Sequence, residues 1–283
     1  MHDPQLIYDI GAHDGADTWS YLRQGYRVVA VDASPLMVET LFRRFAGELE
    51  RGLLTIVPAA VTETDGETVS FYVSSNDYRS SLERGIAESD GTPSTAVTVK
   101  GRSLPSLFAA FGLPFYCKID IEGGDAAAIR SMLTDPRRPV YLSCECCGAS
   151  IAAVHADPAL LYSALDALQQ AGYTQFKLVD QEQMIVLDDR KYYSRLHGIL
   201  WRCRTKLEQW TGCYSRKYNN RRYLIEKGSL PGGDISGFWG DALPGEWTSH
   251  AQTRRRLESH FRDYFDHTQN KQLIFWVDIH ARQ

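Results

Sequence analysis

Two groups of residues in this chain have the types and spacing to do chemistry. The first is Asp9-x-Gly11-Ala12-His13-Asp14-Gly15, followed by Asp32; the second is Lys118-x-Asp120-x-Glu122, followed by Gly123-Gly124. An apolar run that ends in a glycine-bearing turn brings main-chain N–H groups up to a ligand, because glycine has no Cβ and accepts positive φ. From Asp9 to Asp32 is about one β-α-β unit, which places Asp32 where its carboxylate can accept from both hydroxyls of a ribose. In the second group, residues two apart share a strand face, so Lys118, Asp120 and Glu122 line up while Ile119 and Ile121 enter the core. At the carboxyl end of a central strand Asp120 and Glu122 would face a cofactor and an acceptor; a solvated strand end with an ion pair is the structural alternative.

The first turn is informative about which cofactor it suits. A dinucleotide site needs G-x-G-x-x-G so that a pyrophosphate can sit on the helix N-terminus. Here the spacing is Asp9-x-Gly11-x-x-x-Gly15, with Asp9 and Asp14 flanking the turn. Both carboxylates would repel a pyrophosphate, whereas a cofactor carrying a sulfonium and an amino group tolerates them. S-adenosylmethionine therefore fits better than NAD, with a plain structural turn or another nucleotide left as alternatives.

The surrounding pattern supplies the elements that would hold these residues. Leu6 to Ile10 and Val28 to Val31 read as strands. Ser34-Pro35 then opens a helix whose Val38, Leu41, Phe42 and Phe45 recur at helical spacing. Leu54 to Val57 is a third strand, and Glu67 to Val73 alternates as a hairpin arm hinged at Asp65-Gly66, with a polar loop from Ser74 to Ser94. Ser103-Leu104-Pro105 starts a short helix, Tyr116 to Ile121 is a fourth strand, and a helix with Ile129, Met132 and Leu133 on its apolar face follows. Pro139 to Cys144 is a fifth strand. A helix capped by Asp157-Pro158 and stopped at Gly172 leads to a sixth, Gln175 to Val179. Strands alternating with helices at this spacing predict a doubly wound, mostly parallel α/β sheet. Leu273 to His280 is a last strand with no helix pattern between it and the sixth, so it is expected to return antiparallel. That direction carries His280 away from the active edge and makes its pairing with Asp278 structural.

The chain divides accordingly into a core over residues 1–180, an insertion over 181–272 expected to form a lid and substrate region, and a final core strand over 273–283. Its 283 residues and net charge of −4 suit one enzyme-sized globular unit and give no global signal for nucleic acid. No signal sequence and no bilayer-length apolar run are present, which gives the expectation of a cytoplasmic protein. Of the six cysteines, Cys144, Cys146 and Cys147 cluster and Cys117, Cys203 and Cys213 are scattered. No two C-x-x-C pairs of the zinc-site type occur, so they read as reduced thiols, with a metal site at the cluster the minor reading. The insertion carries a basic, aromatic run (Arg190, Lys191, Tyr192, Tyr193, Arg195, Trp201, Arg202, Arg204, Lys206, Trp210, and later Arg216, Lys217, Tyr218, Arg221, Arg222). It reads as helices with buried rings and solvated charges, or as a surface for an anionic, phosphate-bearing acceptor.

Several motifs in order resemble the FkbM-type S-adenosylmethionine-dependent methyltransferases. They are Asp9-x-Gly11-Ala12 with Asp17-Thr18, Pro58-Ala59-Ala60-Val61, Gly66-Glu67 with Phe71-Tyr72, Ser80-Ser81-Leu82, and Lys118-Ile-Asp120-Ile-Glu122-Gly123. Phe176-Lys177-Leu178-Val179-Asp180-Gln181 and the stretch from Gly240 to Trp247 are similar to a subgroup that carries such an insertion. The chain departs from many members in having His13 where they have Asn, and in a shorter segment before the first strand.

The resemblance implies a class I, Rossmann-like methyltransferase fold and O-methylation of a hydroxyl on a sugar or secondary metabolite. Carried over residue by residue, Asp9, Gly11 and Gly15 would hold the amino-acid end of the cofactor and Asp32 its ribose. Ala60 and Val61 would border the adenine, and Asp120 the methionine portion. Ala12, His13, Thr18, Ala33, Ser34 and Ser81 complete the candidate cofactor set, and no residue is assigned to a metal. For the proton of the acceptor hydroxyl the candidates are Glu122, then Asp120, then Glu145. The expected partner is a hydroxyl-bearing small molecule or glycan, and no membrane. A nucleic-acid or other phosphate-bearing acceptor is the runner-up, disfavoured for nucleobases because no Asn/Asp-Pro-Pro-Tyr stretch stands at the fourth strand. A non-catalytic protein of the same fold that binds a partner is a further alternative.

Overall fold

The chain was analysed as a computed structural model that describes residues 2–89, 91–146, 151–181, 185–190, 236–268 and 275–283. Its centre is an eight-stranded sheet in the order β10-β9-β11-β8-β7-β1-β2-β3. The strands are β1 (Asp3–Ile10), β2 (Arg27–Asp32), β3 (Leu54–Pro58), β7 (Pro114–Ile119), β8 (Tyr141–Glu145), β9 (Gln175–Asp180), β10 (Ile185–Leu187) and β11 (Val277–Arg282). Five of them, β3-β2-β1-β7-β8, run parallel. β11 enters between β8 and β9 and is antiparallel to both. The small hairpin strand β10 then extends the edge beside β9.

Alternation along the strands builds two unlike faces. On one, Leu6, Tyr8, Ile10, Cys117, Ile119, Leu142, Cys144, Leu178 and Ile279 join α5 (Leu104–Phe111), α6 (Asp125–Ser131), α8 (Ser163–Gln170) and α9 (His250–Thr268) in the larger core. On the other, Ile7, Val28, Ala30, Ile56 and Tyr116 meet α1 (Ala16–Arg23) and α2 (Pro35–Arg44). Toward β8, β11 and β9 this second face turns polar, with Ser143, Glu145, Asp278, His280 and Lys177 all buried on it.

Residues 239–248 cover that polar half. Trp239 stacks on Tyr116 with ring centroids 4.4 Å apart, and Trp247 lies over Lys177 Nζ at 4.4 Å. Lys177 Nζ donates to the Leu243 carbonyl at 2.5 Å, and Tyr141 and Arg282 both reach Asp241. Phe176 and Thr248 exchange main-chain hydrogen bonds. The stretch from Gly240 to Trp247 and the strand Phe176 to Gln181, separate motifs in the sequence, are thus two sides of one contact. Residues 191–235, which hold all of the basic, aromatic run except Arg190, lie outside the described residues, as do Cys147, Cys203 and Cys213. Arg190 itself pairs with Asp188.

Several element boundaries differ from the sequence reading. β7 ends at Ile119 rather than Ile121: the Asp120 N–H still donates to the Ile10 carbonyl (2.9 Å), but Glu122 and Gly123 then take left-handed φ of 50° and 89° and break the extended backbone. The polar stretch before residue 94 leads into a second hairpin arm, β6 (Ser94–Arg102), paired along its length with β5 (Thr68–Ser74) and joined by β4 (Ala60–Val61). Its Ser, Thr and Lys residues carry little apolar signal because most of the strand is exposed or half-buried. Phe42 and Leu133, expected on buried faces, are each 45 % exposed. In α2 the buried stripe is the narrower Met37, Leu41 and Phe45. The helix expected from Asp157 begins as a 3-10 turn, Pro158–Tyr162, before α8. The last strand begins at Val277, later than Leu273. Among the described residues no helix is long and apolar enough to cross a membrane.

Gly15 caps α1 with φ 85°, and a Cβ built there would lie 2.4 Å from the Phe45 ring and 2.8 Å from Leu41. It is the point where α1 closes on α2. A left-handed φ costs a non-glycine residue roughly 1–2 kcal/mol, and overpacking adds about 1–3 kcal/mol. Gly15→Ala is therefore expected to lower the melting temperature by about 5 °C or more in calorimetry; an unchanged melting point would show that the α1–α2 contact yields freely.

Candidate active site

The turns after β1 and β7 clasp each other at the carboxyl edge of the sheet. Gly11, with φ 80°, presents no side chain to the β7 turn; a Cβ there would sit 1.8 Å from the Asp120 carbonyl oxygen. No residue but glycine fits at that distance. The Gly11 and Ala12 N–H groups donate to the Val31 carbonyl at 2.9 and 3.1 Å, so the turn is also tied to β2. His13 and Glu122 are the two non-glycine residues with positive φ among the described residues, at 48° and 50°. Both line the same cavity. Strain of roughly 1–3 kcal/mol at such positions persists where surrounding contacts hold it, and it gathers at functional sites.

That cavity runs from Asp32 to Glu122 across the ends of β1, β2 and β7. Of the sequence candidates it is lined by Gly11, His13, Asp32, Ala33, Ser34, Ala60, Val61, Asp120 and Glu122. Asp9, Ala12, Gly15, Thr18, Ser81 and Glu145 stand outside its lining. Asp9 is wholly buried beneath α1, where Thr18 Oγ1 donates to its Oδ2 at 2.6 Å. Ala12 belongs to the core under α1 and α2. Ser81 donates to the Glu122 carbonyl at 2.8 Å. The lining adds Phe71, Ser80, Leu82 and Ile121, which fall inside motifs of the sequence without having been assigned to the site, and Met37 and Tyr78, which belong to no motif. Tyr78 had no signal, since it comes from a polar loop and reaches the site by stacking on His13 at 4.6 Å.

Asp32 meets the requirements for holding a diol. Its Oδ2 accepts the His13 N–H and its Oδ1 the Ser34 N–H, both at 2.8 Å. A carboxylate has about four acceptor positions, so each oxygen keeps capacity toward the cavity. Burial raises its pKa, and the N–H donors of Ser34 and His13 oppose the rise. Met37, Ala60, Val61 and Phe71 make the neighbouring wall apolar, as a purine ring requires.

Lys118 is the electrostatic hub below. Its Nζ lies 2.9 Å from Asp17, 3.1 Å from Asp120 and 3.9 Å from Asp9. Burial works against its charge, yet Asp17, Asp120 and Asp9 together hold its pKa well above the usual lysine range. Asp17 in turn accepts both the N–H and the hydroxyl of Ser236 at 2.9 Å, which joins the stretch that begins there to the start of α1.

Beyond this hub the carboxylates outnumber the cations. Burial, then the charges of Asp120 and Asp125, push Glu122 up to about 8, with Arg79 opposing. Burial, then Asp120, push Asp125 up to about 7, and burial takes Asp9 to about 6 against the pull of Lys118. Glu145 and Asp278 are register neighbours, and burial followed by the surrounding carboxylates raises both far above the carboxylate range. Gln181 donates to Asp278 at 2.5 Å, while Glu145 Oε2 and Asp125 Oδ2 have no hydrogen-bond partner among the described residues. His280 is buried two residues further from the edge, and burial lowers it to about 3, so it stays neutral. The arrangement favours a cationic centre near Asp120 and Glu122 and offers Glu122 as a proton acceptor.

Residues 9–174 match the family described as the methyltransferase FkbM domain. Among solved structures, the chain is similar to a SAM-dependent methyltransferase from Thiobacillus denitrificans in complex with S-adenosyl-L-homocysteine, at 12 % identity and TM-score 0.36, covering 100 % of this chain and 85 % of that one. It is also similar to geranyl diphosphate C-methyltransferase from Streptomyces coelicolor A3(2), at 11 % identity and TM-score 0.40, covering 98 % and 73 %. No curated protein matches the chain. The match over residues 9–174 includes both turns of the site, and the family assignment rests on it rather than on these structural likenesses.

The raised carboxylates have a consequence for stability. Their folded values of about 6 for Asp9, 7 for Asp125 and 8 for Glu122 exceed those of an unfolded chain, near 4. The folded protein then keeps protons that the unfolded chain has released, so stability is full below about pH 4 for these groups and declines as pH rises toward about 8. Asp278→Asn removes one such group while leaving an acceptor for Gln181. Its melting temperature should exceed that of the wild type by a margin that widens from about pH 5 to about pH 8; a margin independent of pH would mean that Asp278 is ionised in the fold.

Proposed function

The chain belongs to the FkbM methyltransferase family, and we propose that it transfers a methyl group from S-adenosylmethionine to a hydroxyl oxygen of a small-molecule or glycan acceptor. The observation that carries this reading is the single cavity that joins Asp32, with acceptor capacity left on both oxygens, to Asp120 and Glu122 at its other end. The cofactor is S-adenosylmethionine, which when bound supplies a methyl group on a cationic sulfur. Asp32 would take its ribose hydroxyls, the wall of Met37, Ala60, Val61 and Phe71 its adenine, and Asp120 would face its cationic end. Gly11 leaves the main chain open at the point where the two turns meet.

The protein's part in the reaction is alignment, exclusion of water and removal of one proton. Ile10, Val31, Phe71 and Ile121 enclose the middle of the cavity and keep it apolar. Glu122 accepts the proton of the attacking hydroxyl. Its pKa of about 8 makes it a stronger base than an ordinary carboxylate while a fraction remains ionised at neutral pH. A positive charge arriving beside Glu122 favours its ionised form, which couples cofactor binding to readiness of the base.

Two measurements test the reading. S-adenosylhomocysteine at about 100 times its Kd stabilises by roughly 2.7 kcal/mol, so the melting temperature should rise by about 5 °C or more. NAD should give no rise, and Asp32→Ala should abolish the effect; a wild type that responds to neither ligand would leave only the partner-binding alternative. In a labelled-methyl transfer assay over hydroxylated acceptors, Glu122→Gln should lower turnover by a factor of about 10² to 10⁴. The wild-type kcat/KM for S-adenosylmethionine should climb as pH rises through about 8, since that ratio reports the base before the cofactor is bound. Undiminished turnover by Glu122→Gln with the cofactor bound normally would remove Glu122 from the role.

A further inference from the structure

We propose that Ser81 is a positioning residue: its hydroxyl, with Ile86 beside it, fixes the turn from Ile121 to Gly124 so that Glu122 is presented to the cavity. The inference rests on the reading of Glu122 as the base and adds a residue that the motif reading placed against the cofactor. It begins from the left-handed φ of 50° at Glu122, a conformation that a glutamate does not keep without outside contacts.

Those contacts come from two sides. From the sheet, the Asp120 N–H donates to the Ile10 carbonyl at 2.9 Å and Gly11 lies against the Asp120 carbonyl. From the hairpin side, Ser81 Oγ donates to the Glu122 carbonyl at 2.8 Å. The side chain of Ile86, in the short helix α4 (Arg84–Ala87), reaches over Gly123, where a Cβ would lie 2.3 Å from Ile86 Cδ1. The left-handed turn is thus pinned at three residues, 120, 122 and 123.

Ser81 is itself held for this task. It is 1 % exposed, and its main chain pairs both ways with Tyr72, which ties it to β5. Its Oγ accepts the Glu83 N–H at 3.0 Å, which leaves the hydroxyl proton for the Glu122 carbonyl. Its neighbours Ser80 and Leu82 line the cavity while Ser81 does not. One segment therefore touches the space for the cofactor with Tyr78, Ser80 and Leu82 and sets the direction of the base with Ser81. The charged groups around Glu122 are Asp120 and Asp125 on its own loop and helix, Glu145 from β8 and Arg79 from the hairpin connection. Release of the turn would carry Glu122 away from the three carboxylates and toward water.

The test needs no acceptor. The carboxyl ¹³C signal of Glu122, identified by its loss in Glu122→Gln, is titrated by NMR in wild type, Ser81→Ala and Ser81→Thr. Hydrogen exchange of the peptide covering 119–126 is followed in parallel. Wild type should titrate near 8; Ser81→Ala should titrate at least one pH unit lower, with exchange of that peptide accelerated about tenfold, and Ser81→Thr should restore both. Ile86→Ala provides a second variant that should move both readouts in the same direction. Titration and exchange left at wild-type values in Ser81→Ala would overturn the proposal. So would a loss of S-adenosylhomocysteine binding with the Glu122 titration unmoved, which would make Ser81 a cofactor ligand. Failure of the wild type to bind S-adenosylhomocysteine would strike the proposed function alone, since the pinning of the turn is read without ligand.

Discussion

One buried lysine among three carboxylates organises this protein. Lys118 sits on β7, inside the parallel run, with Asp9 beside it on β1, Asp17 above it at the start of α1 and Asp120 just past the end of its own strand. Each of these groups would be costly to bury alone, and removing one partner from such a set leaves an uncompensated charge. Together they lock the glycine turn, the first helix and the β7 turn into a single geometry. Because Asp17 also accepts twice from Ser236, the stretch that begins there is fixed to the same point. The cavity exists where it does because this knot pulls the ends of β1 and β7 together, and Gly11 allows them to touch.

The polar half-face of the sheet is covered by residues 239–248. Tyr141, Lys177 and Arg282 would meet water if the face were open; instead Trp247 covers them and Asp241 collects hydrogen bonds from Tyr141, Trp247 and Arg282. Aromatic rings with one polar edge suit such a surface, since they bury area and still satisfy donors. The helical layer that covers the opposite face is replaced here by a segment with little regular structure.

Excess negative charge at the carboxyl edge has two opposed effects. It costs stability as pH rises, through carboxyl groups that the fold keeps protonated. It also creates a field that favours a cation between Asp32 and Glu122, the position a sulfonium would occupy. The two left-handed residues, His13 and Glu122, both line that space, so strain and charge meet at one cavity.

The sequence by itself determined the alternating α/β pattern, the glycine turn, the carboxylate Asp32 at the end of the second strand and the family resemblance, because these depend on local periodicity and on residue types at short spacing. It misplaced the end of β7, since only the clasp with Gly11 turns Asp120 and Glu122 out of the strand. It did not distinguish Asp9, Gly15 and Ser81, which hold the frame, from Asp32, Asp120 and Glu122, which line the cavity. A motif records which residues occur together, whereas direction depends on which neighbour a side chain meets. Tyr78 and Ile86 were invisible for the same reason. They act at the site through chain segments brought back by the β5–β6 hairpin, and contacts between residues forty positions apart leave no periodicity to read.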